Sequence, residues 1–288
     1  MAESAYFIGV DLGGTRLRLG AVARDGRLAS EVLSVPTGSG FRPDDLSRHL
    51  AELTRRLKAQ LAGEAAALGF GTAGVVDHGP LTQCDNLPLL NGVDIGALVR
   101  SAVDERVAVE NDARCFTLAE ARYGAGRGVA DVCGITLGTG VGCGVMLAGR
   151  LHRGAASQAG EVWQIPLRGE PIEAFLSGAG VVRGYAAAGG RAEPPLEAEH
   201  VAARARGGDA AAGLAWQAFG ADLGWLCRCL ISVLDPARIV IGGSLSLARE
   251  LYGPALAATL GAEAVRIADA ALGASAGVIG AAALNIDA

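Results

Sequence analysis

Three short stretches hold residue types that could do chemistry. END, residues 110–112, puts Asp112 behind an apolar run and ahead of a helical pattern. A carboxylate at such a junction can be an N-cap, accepting the orphan amides of a first helical turn. It can equally be a general base, and phosphoryl transfer needs a carboxylate to accept the proton of the attacking hydroxyl. Asn111 stands beside it and could hydrogen-bond the same substrate.

DLGGT, residues 11–15, delivers Asp11 from an apolar run into a turn with Gly13, Gly14 and Thr15. Glycines let backbone approach a ligand, and the N–H groups of such a turn can cradle phosphate oxygens. Asp11 is then placed to hold Mg²⁺ through water. GTGVG, residues 138–142, offers a similar turn in Gly138, Thr139 and Gly140, with Thr139 as hydroxyl donor. GGS, residues 242–244, adds Gly242 and Gly243 as a third glycine turn after an apolar run. Each alone is an ordinary hairpin turn. Three together, each following a strand pattern, make a coherent ATP site. Lys58 is the only lysine in the chain, so a lysine-bearing Walker loop is excluded.

Glu161 and Glu173 lie in GAASQAGEVWQIPLRGEPIEAFLSG, residues 154–178. Two such acids can be a surface accident, a metal site or the grip on a polar ligand, whose hydroxyls would donate charge-assisted hydrogen bonds to them. Trp163 could stack on a sugar face or pack in the core, and the core is the better reading. No cysteine occurs from residue 144 to 226, and His200 is the only histidine after Arg153. A four-ligand zinc site cannot be assembled here from that set.

The elements that must position these residues follow from pattern. Residues 6–14 read as a strand entering a glycine turn, and residues 16–23 as its hairpin partner. Asp25-Gly26 is the next turn, and a third strand runs through residues 28–35. Leu46, Leu50, Leu53, Leu57 and Leu61 recur at helical spacing, with Gly63 as a stop. Strands are expected at 66–77, running out into a loop, and at 106–112, the latter followed by a helix. The opening pattern returns in DVCGITLGTGVGCGVMLAGRLHRG, so Leu12-Gly13 aligns with Leu137-Gly138. A duplicated supersecondary unit, hence two similar domains, is the reading that follows. The C-terminal third reads as a long helix to Leu234, a strand from Arg238, a helix through Leu260, a strand VRIADA and a final helix. The alanine and glycine of that last helix permit very close packing.

Bulk properties agree with a folded globular chain: 288 residues, 51% hydrophobic, 19% charged. A net charge of −5 gives no reason to expect a nucleic-acid partner. The uncharged residues 132–149 approach a membrane span in length, but five glycines after Ile135 break them into strand, turn and strand. The first residues show no signal-type pattern, and the six cysteines form no C-x-x-C. They read as small buried hydrophobes, and a cytoplasmic location is expected.

IGVDLGGTRLRLGAV, FGTAGVVDHG with DNLPLLNGVDI, VENDAR, LGTGVGCGVMLAGRLHRGAASQAGEV, IVIGGSLS and ALGASAGVIGAAAL together resemble the ROK family, in matching order over nearly the whole chain. Its members are bacterial sugar kinases and related sugar-responsive repressors. The resemblance implies an α/β, two-domain actin-like (ribonuclease-H-like) ATPase fold, a duplicated mixed sheet flanked by helices, with ATP and sugar in a central cleft. The domains expected are 1–112 with 273–288, and 113–272. The resemblance makes Asp112 the base on a sugar hydroxyl and Asn86, Asn111, Glu161 and Glu173 sugar ligands. It sets Gly13, Gly14, Thr15, Gly138, Thr139 and Gly140 facing phosphates, Asp11 near Mg²⁺, and Gly242 and Gly243 against the nucleotide. Many members have Gly-Glu-x-Gly-His followed by a cysteine-rich zinc loop. Here Gln164 takes the histidine position on the sugar side, and the cysteine loop is shortened away, so no zinc is expected. The repressors carry a helix-turn-helix ahead of the first strand, which here begins near residue 6. The expectation is an ATP- and Mg²⁺-dependent hexose kinase acting on a small sugar, a homodimer without nucleic-acid or membrane partners. A sugar-binding sensor without kinase activity is the alternative, and an actin-like ATPase working on protein partners is a further one.

Overall fold

The computed structural model describes residues 5–74, 80–82, 84, 86–191 and 195–286. The chain divides into two compact units. One comprises Met1–Gly128, Leu151–Ala159 and Leu272–Ala288, and the other Val129–Arg150 and Gly160–Ala271.

In the first unit, β1 (Tyr6–Leu12), β2 (Arg16–Val22), β3 (Leu33–Pro36), β4 (Ala65–Thr72) and β5 (Val107–Asn111) form a sheet of order β3-β2-β1-β4-β5. β1, β2 and β3 are antiparallel, while β4 and β5 join parallel. The third strand is shorter than its pattern. The Ala29 amide donates to the Ala21 carbonyl and the Ser30 hydroxyl accepts the Ala21 amide, which takes residues 29–32 out of the ladder. Helix α1 (Pro43–Lys58) buries Leu46, Leu50, Leu53 and Leu57 against this sheet's core. It ends before Leu61, where the Gln60 and Leu61 amides tighten onto the Leu57 and Lys58 carbonyls three residues back. The single lysine is structural, for the Lys58 ammonium pairs with the nearly buried Glu105 carboxylate. The expected strand from 66 ends at Thr72, and positions 75–79 of its loop lie outside the described residues. Helix α2 (Ile95–Ala102) is capped by Asp94, whose carboxylate accepts the Ala97 amide.

Helices α3 (Asp112–Tyr123) and α8 (Ala276–Ala283) complete the first unit, and α8 is pressed onto the sheet. A Cβ on Gly9 would lie 1.9 Å from the Val278 carbonyl oxygen, and one on Gly69 1.7 Å from that of Ala281. On the other side, a Cβ on Gly280 would lie 1.8 Å from the Cys115 carbonyl oxygen of α3. Only glycine permits such backbone approach. That packing keeps α3 with the first unit, which therefore runs to Gly128, whereas the sequence-based boundary fell at Asp112.

The second unit repeats the scheme. β6 (Val132–Leu137), β7 (Val141–Leu147) and β8 (Arg150–Leu151) run outward, with β11 (Arg238–Gly242) and β12 (Ile267–Asp269) parallel on the other side of β6. The order β12-β11-β6-β7-β8 is that of the first sheet read from its opposite edge. A small hairpin of β9 (Pro166–Leu167) and β10 (Glu170–Pro171) stands apart. Helices α4 (Gly178–Ala187), α5 (Ala198–Arg206), α6 (Ala210–Leu234) and α7 (Arg249–Leu260) share one hydrophobic core with the sheet. α6 starts at an Asp209 cap and stops where Asp235 turns left-handed (φ 44°) ahead of Pro236. Its Trp216 and Phe219 meet Tyr252 of α7 in an aromatic cluster with ring centroids 5.3–6.3 Å apart.

Residues 132–149 are thus β6, β7 and their turns. Among the described residues no helix is long and apolar enough to cross a membrane. All six cysteines are free thiols and five are buried. Burial pushes the Cys133 and Cys227 thiols up to about 12, as inert packing groups.

Candidate active site

In the first unit the chain after β1 turns through Gly13, Gly14 and Thr15 into β2. The Gly13 amide closes the turn on the Arg16 carbonyl at 3.0 Å. Thr37 holds it from outside, its hydroxyl donating to the Gly13 carbonyl at 2.8 Å and its amide to the Thr15 carbonyl at 2.9 Å. Asn86 lies against this turn, since a Cβ on Gly14 would come 2.6 Å from the Asn86 Cβ. A predicted sugar ligand and the predicted phosphate turn are therefore neighbours.

Asp11 precedes the turn and faces Gly277 in the first turn of α8, where a Cβ would lie 2.7 Å from its carboxylate. Its cross-strand partner Arg18 approaches to 3.8 Å. Burial raises the Asp11 carboxyl above its usual range, and Arg18 pulls it back.

The strand-to-helix junction removes the N-cap reading of Asp112. Asn111 is the N-cap of α3: its side-chain oxygen accepts the Arg114 amide at 3.1 Å, and its amide group donates to the Gly74 carbonyl at 3.0 Å. Asp112 is the first helical residue, half-buried, with one carboxylate oxygen accepting the Ala113 amide at 2.8 Å. Burial, and after it the charge of Asp11, push the Asp112 carboxyl up to about 6. The amide bond from Ala113 opposes that rise without cancelling it.

A network that the motif reading missed braces this junction. Glu110 is 2% exposed and accepts from three donors: the Asn111 amide at 2.9 Å, Arg114 at 3.1 Å and Arg153 at 2.5 Å. Arg114 is 1% exposed and also donates to the Ser157 and Ala159 carbonyls at 2.5 and 3.2 Å. Unpaired burial of either charge would cost several kcal/mol, on the order of 3–5. The Glu110–Arg114 spacing of four was the available signal, but the junction hid it because the two residues sit on different elements.

In the second unit the Gly138–Gly140 turn is built like the first. The Gly138 amide donates to the Gly140 carbonyl at 3.0 Å, and the Gly138 carbonyl accepts the Gly178 amide at 2.9 Å. Gly243, at φ 88°, brings the third glycine turn against the end of β6, where a Cβ would lie 2.2 Å from the Leu137 carbonyl oxygen. Gly242 is buried, Thr139 exposed, and the Ser244 hydroxyl lies 3.5 Å from a Cβ built on Gly138. Two of the three predicted glycine turns are thus adjacent.

Glu173 reaches the same place. Its carboxylate accepts the Val141 amide at 3.0 Å and occupies the space a Gly140 Cβ would need, at 2.3 Å. Glu161 accepts the Trp163 indole N–H at 2.8 Å, and Trp163 packs against the core. Gln164 is exposed at the end of the turn Val162–Gln164.

The donor types suit the groups expected. Asp11 offers hard carboxylate oxygen, the ligand type of Mg²⁺, and its burial leaves a charge that a cation would relieve. An added Cβ on Gly13 or Gly138 would make only ordinary contact, at 3.5 Å from the Arg16 carbonyl oxygen and the Ser244 hydroxyl.

A model of the ROK family matches residues 7–288. N-acetylgalactosamine kinase AgaK of Shewanella sp. (strain ANA-3) is 31% identical over 268 residues, covering 85% of this chain and 83% of that protein. A glucokinase of Thermotoga maritima is 30% identical over 275 residues, covering 86% and 84%. Among solved structures, a ROK family glucokinase from Streptomyces griseus in complex with glucose and AMPPNP superposes with a TM-score of 0.84 at 26% identity, covering 99% of this chain and 100% of that one.

Proposed function

The chain belongs to the ROK family, and on that premise we propose that it is an ATP-dependent sugar kinase, transferring the γ-phosphoryl group to a hexose hydroxyl, first of all the 6-hydroxyl of glucose. One observation carries the reading. Asp112 is released from capping by Asn111 and sits beside Asp11 with its carboxyl raised to about 6. A base with that value is ionised at neutral pH and still takes up a proton readily.

In the transfer, a carboxylate oxygen of Asp112 accepts the proton of the sugar hydroxyl. The hydroxyl oxygen forms its bond to the γ-phosphorus as the bond to the bridging oxygen of ADP breaks. The turns at Gly13–Thr15 and Gly138–Gly140 are assigned to the phosphates, and Gly242 and Gly243 to the nucleotide. Bound Mg²⁺, held near Asp11 through water, would supply charge neutralisation on the phosphates. Asn86, Asn111, Glu161, Gln164 and Glu173 are assigned to the sugar. The acceptors Glu161, Glu173, Asn111 and Asp112 suit an equatorial polyol, which favours glucose. Gln164 replaces an imidazole with a carboxamide, and this changes the donors offered near the anomeric end.

The test is ADP release from Mg-ATP across a panel of hexoses and N-acetylhexosamines, with Asp112→Asn as control. Turnover on one sugar, lost in the control, is expected. Absence of turnover on every sugar, with sugar binding retained in calorimetry, would replace the kinase by a sensor. Elemental analysis of the purified protein should find no stoichiometric zinc, and one zinc per chain would contradict the sugar-only role of the Glu161–Glu173 segment.

A further inference from the structure

Glu161 and Glu173 are joined by a segment whose shape is fixed from outside it. Glu161 leads into the turn Val162–Gln164, Glu173 lies in the turn Ile172–Ala174, and the two turns pack on each other. Between them β9 and β10 pair Leu167 with Glu170 and Pro166 with Pro171. The Ile172 amide closes the ladder on the Ile165 carbonyl at 2.9 Å, where the first turn ends and the second begins. Arg168 and Gly169 form the tip, both left-handed at φ 53° and 87°. Strands of two residues have no stability of their own, and a non-glycine residue at positive φ is uncommon.

The tip is held by side chains. Arg168 donates to Asp222 at 2.5 Å, and Asp222 is an 8%-exposed acid in the middle of α6. The Arg168 guanidinium lies over the Phe175 ring at 4.2 Å, and Arg183 of α4 lies over the same ring at 4.5 Å. Arg183 also donates to Glu170 of the hairpin at 2.7 Å. Phe175 follows the turn that carries Glu173, so the clamp ties hairpin, turn, α4 and α6 together.

We propose that Arg168, with Asp222, Phe175 and Arg183, is a positioning device that sets the spacing of Glu161 and Glu173 and thereby governs sugar affinity and choice. It rests on the sugar-kinase reading and deepens it. Arg168 touches no reacting atom, so its loss should weaken sugar binding and leave the transfer step nearly intact.

The experiment is Arg168→Gln in the full chain, with sugar and ATP varied separately. A ~10-fold or greater rise in sugar KM is expected, with kcat within ~3-fold and ATP KM within ~2-fold of wild type. Arg168→Gln/Asp222→Asn should be no worse than the worse single variant, because both remove one interaction. The Arg168 side chain is 55% exposed, which favours a folded variant. Should it fail to fold, Arg183→Gln, 45% exposed in its side chain, carries the same test with a rise of ~3-fold. An unchanged sugar KM in a folded variant overturns the proposal, as does an equal rise in sugar and ATP KM. If wild type turns over no sugar, the kinase reading fails instead, and the clamp is then judged by the sugar Kd of the same variants.

Discussion

In the first unit the strand before the glycine turn ends in Asp11 and Leu12, and in the second it ends in Thr136 and Leu137. Each outer parallel strand leads to an acid. Asp112 directly follows β5, half-buried beside Asp11 with its carboxyl raised to about 6. Asp269 ends β12 with a side chain 62% exposed, paired with Arg249 at 3.5 Å. The turns themselves are alike. In both, the first glycine's amide closes the turn, and its carbonyl is taken by a neighbour, Thr37 in one and Gly178 in the other. The fold thus repeats a glycine turn, while burial and a neighbouring charge raise the carboxyl of only one of two strand-end acids, the one proposed as the base.

The sheets are covered differently as well. α8 meets β1 and β4 through glycines with no side chain between. The second core is filled with Trp216, Phe219, Tyr252 and leucines. The α8 helix that covers the first sheet is also the one whose first turn faces Asp11, so close packing and site geometry are coupled there.

The largest effect expected is that of Asp112→Asn. kcat should fall by ~10³-fold or more while sugar Kd, by calorimetry, stays within a few-fold. A near-normal kcat would erase the distinction between Asp112 and Asp269. Next comes Gly69→Ala, whose new methyl would meet the Ala281 backbone, which cannot step aside. A loss above about 3 kcal/mol in urea unfolding is expected, and a loss under ~1 would mean that α8 does not rest on glycine as described. Gly140→Ala meets only the flexible end of Glu173 but stands in a turn assigned to the phosphates, so sugar KM and ATP KM should both rise, by ~10-fold, with little change in Tm. Gly13→Ala, whose methyl would only touch the Arg16 carbonyl oxygen at 3.5 Å, should raise ATP KM alone, and an equal rise in sugar KM would blur the assignment.

The smallest effect is on stability. The folded Asp112 carboxyl titrates at about 6, above its unfolded value of ~3.9, so folding favours the protonated form. That contribution is complete below about pH 4 and is lost as pH rises through about 6. Asp112→Asn should therefore stabilise the protein by ~1–2 kcal/mol at about pH 8 and leave it unchanged at about pH 4. Equal Tm shifts at both would remove burial as the cause.

Much of this was legible in the sequence because it rests on local pattern. The recurrence of an apolar run, glycine turn and apolar run at Leu12 and Leu137 foretold two sheets of one topology. The alanine and glycine of α8 foretold close packing, which Gly9 and Gly69 realise. What stayed hidden depends on partners far along the chain. Arg114 meets Ser157 and Ala159, 43 and 45 residues on, and Arg168 meets Asp222, 54 residues on. No periodicity reports such pairs. The cap of α3 was ambiguous for another reason: Asn111 and Asp112 are both good caps, and only backbone geometry assigns the role to Asn111.

The most direct measurement is the pH dependence of kcat/KM for the sugar at saturating Mg-ATP, from about pH 5 to about pH 8. With Asp112 as base, the rate should rise with unit slope below about 6 and level above it, and the residual rate of Asp112→Asn should lack that inflection. A wild-type profile flat through this range, or one whose inflection survives in Asp112→Asn, would contradict the assignment of the base.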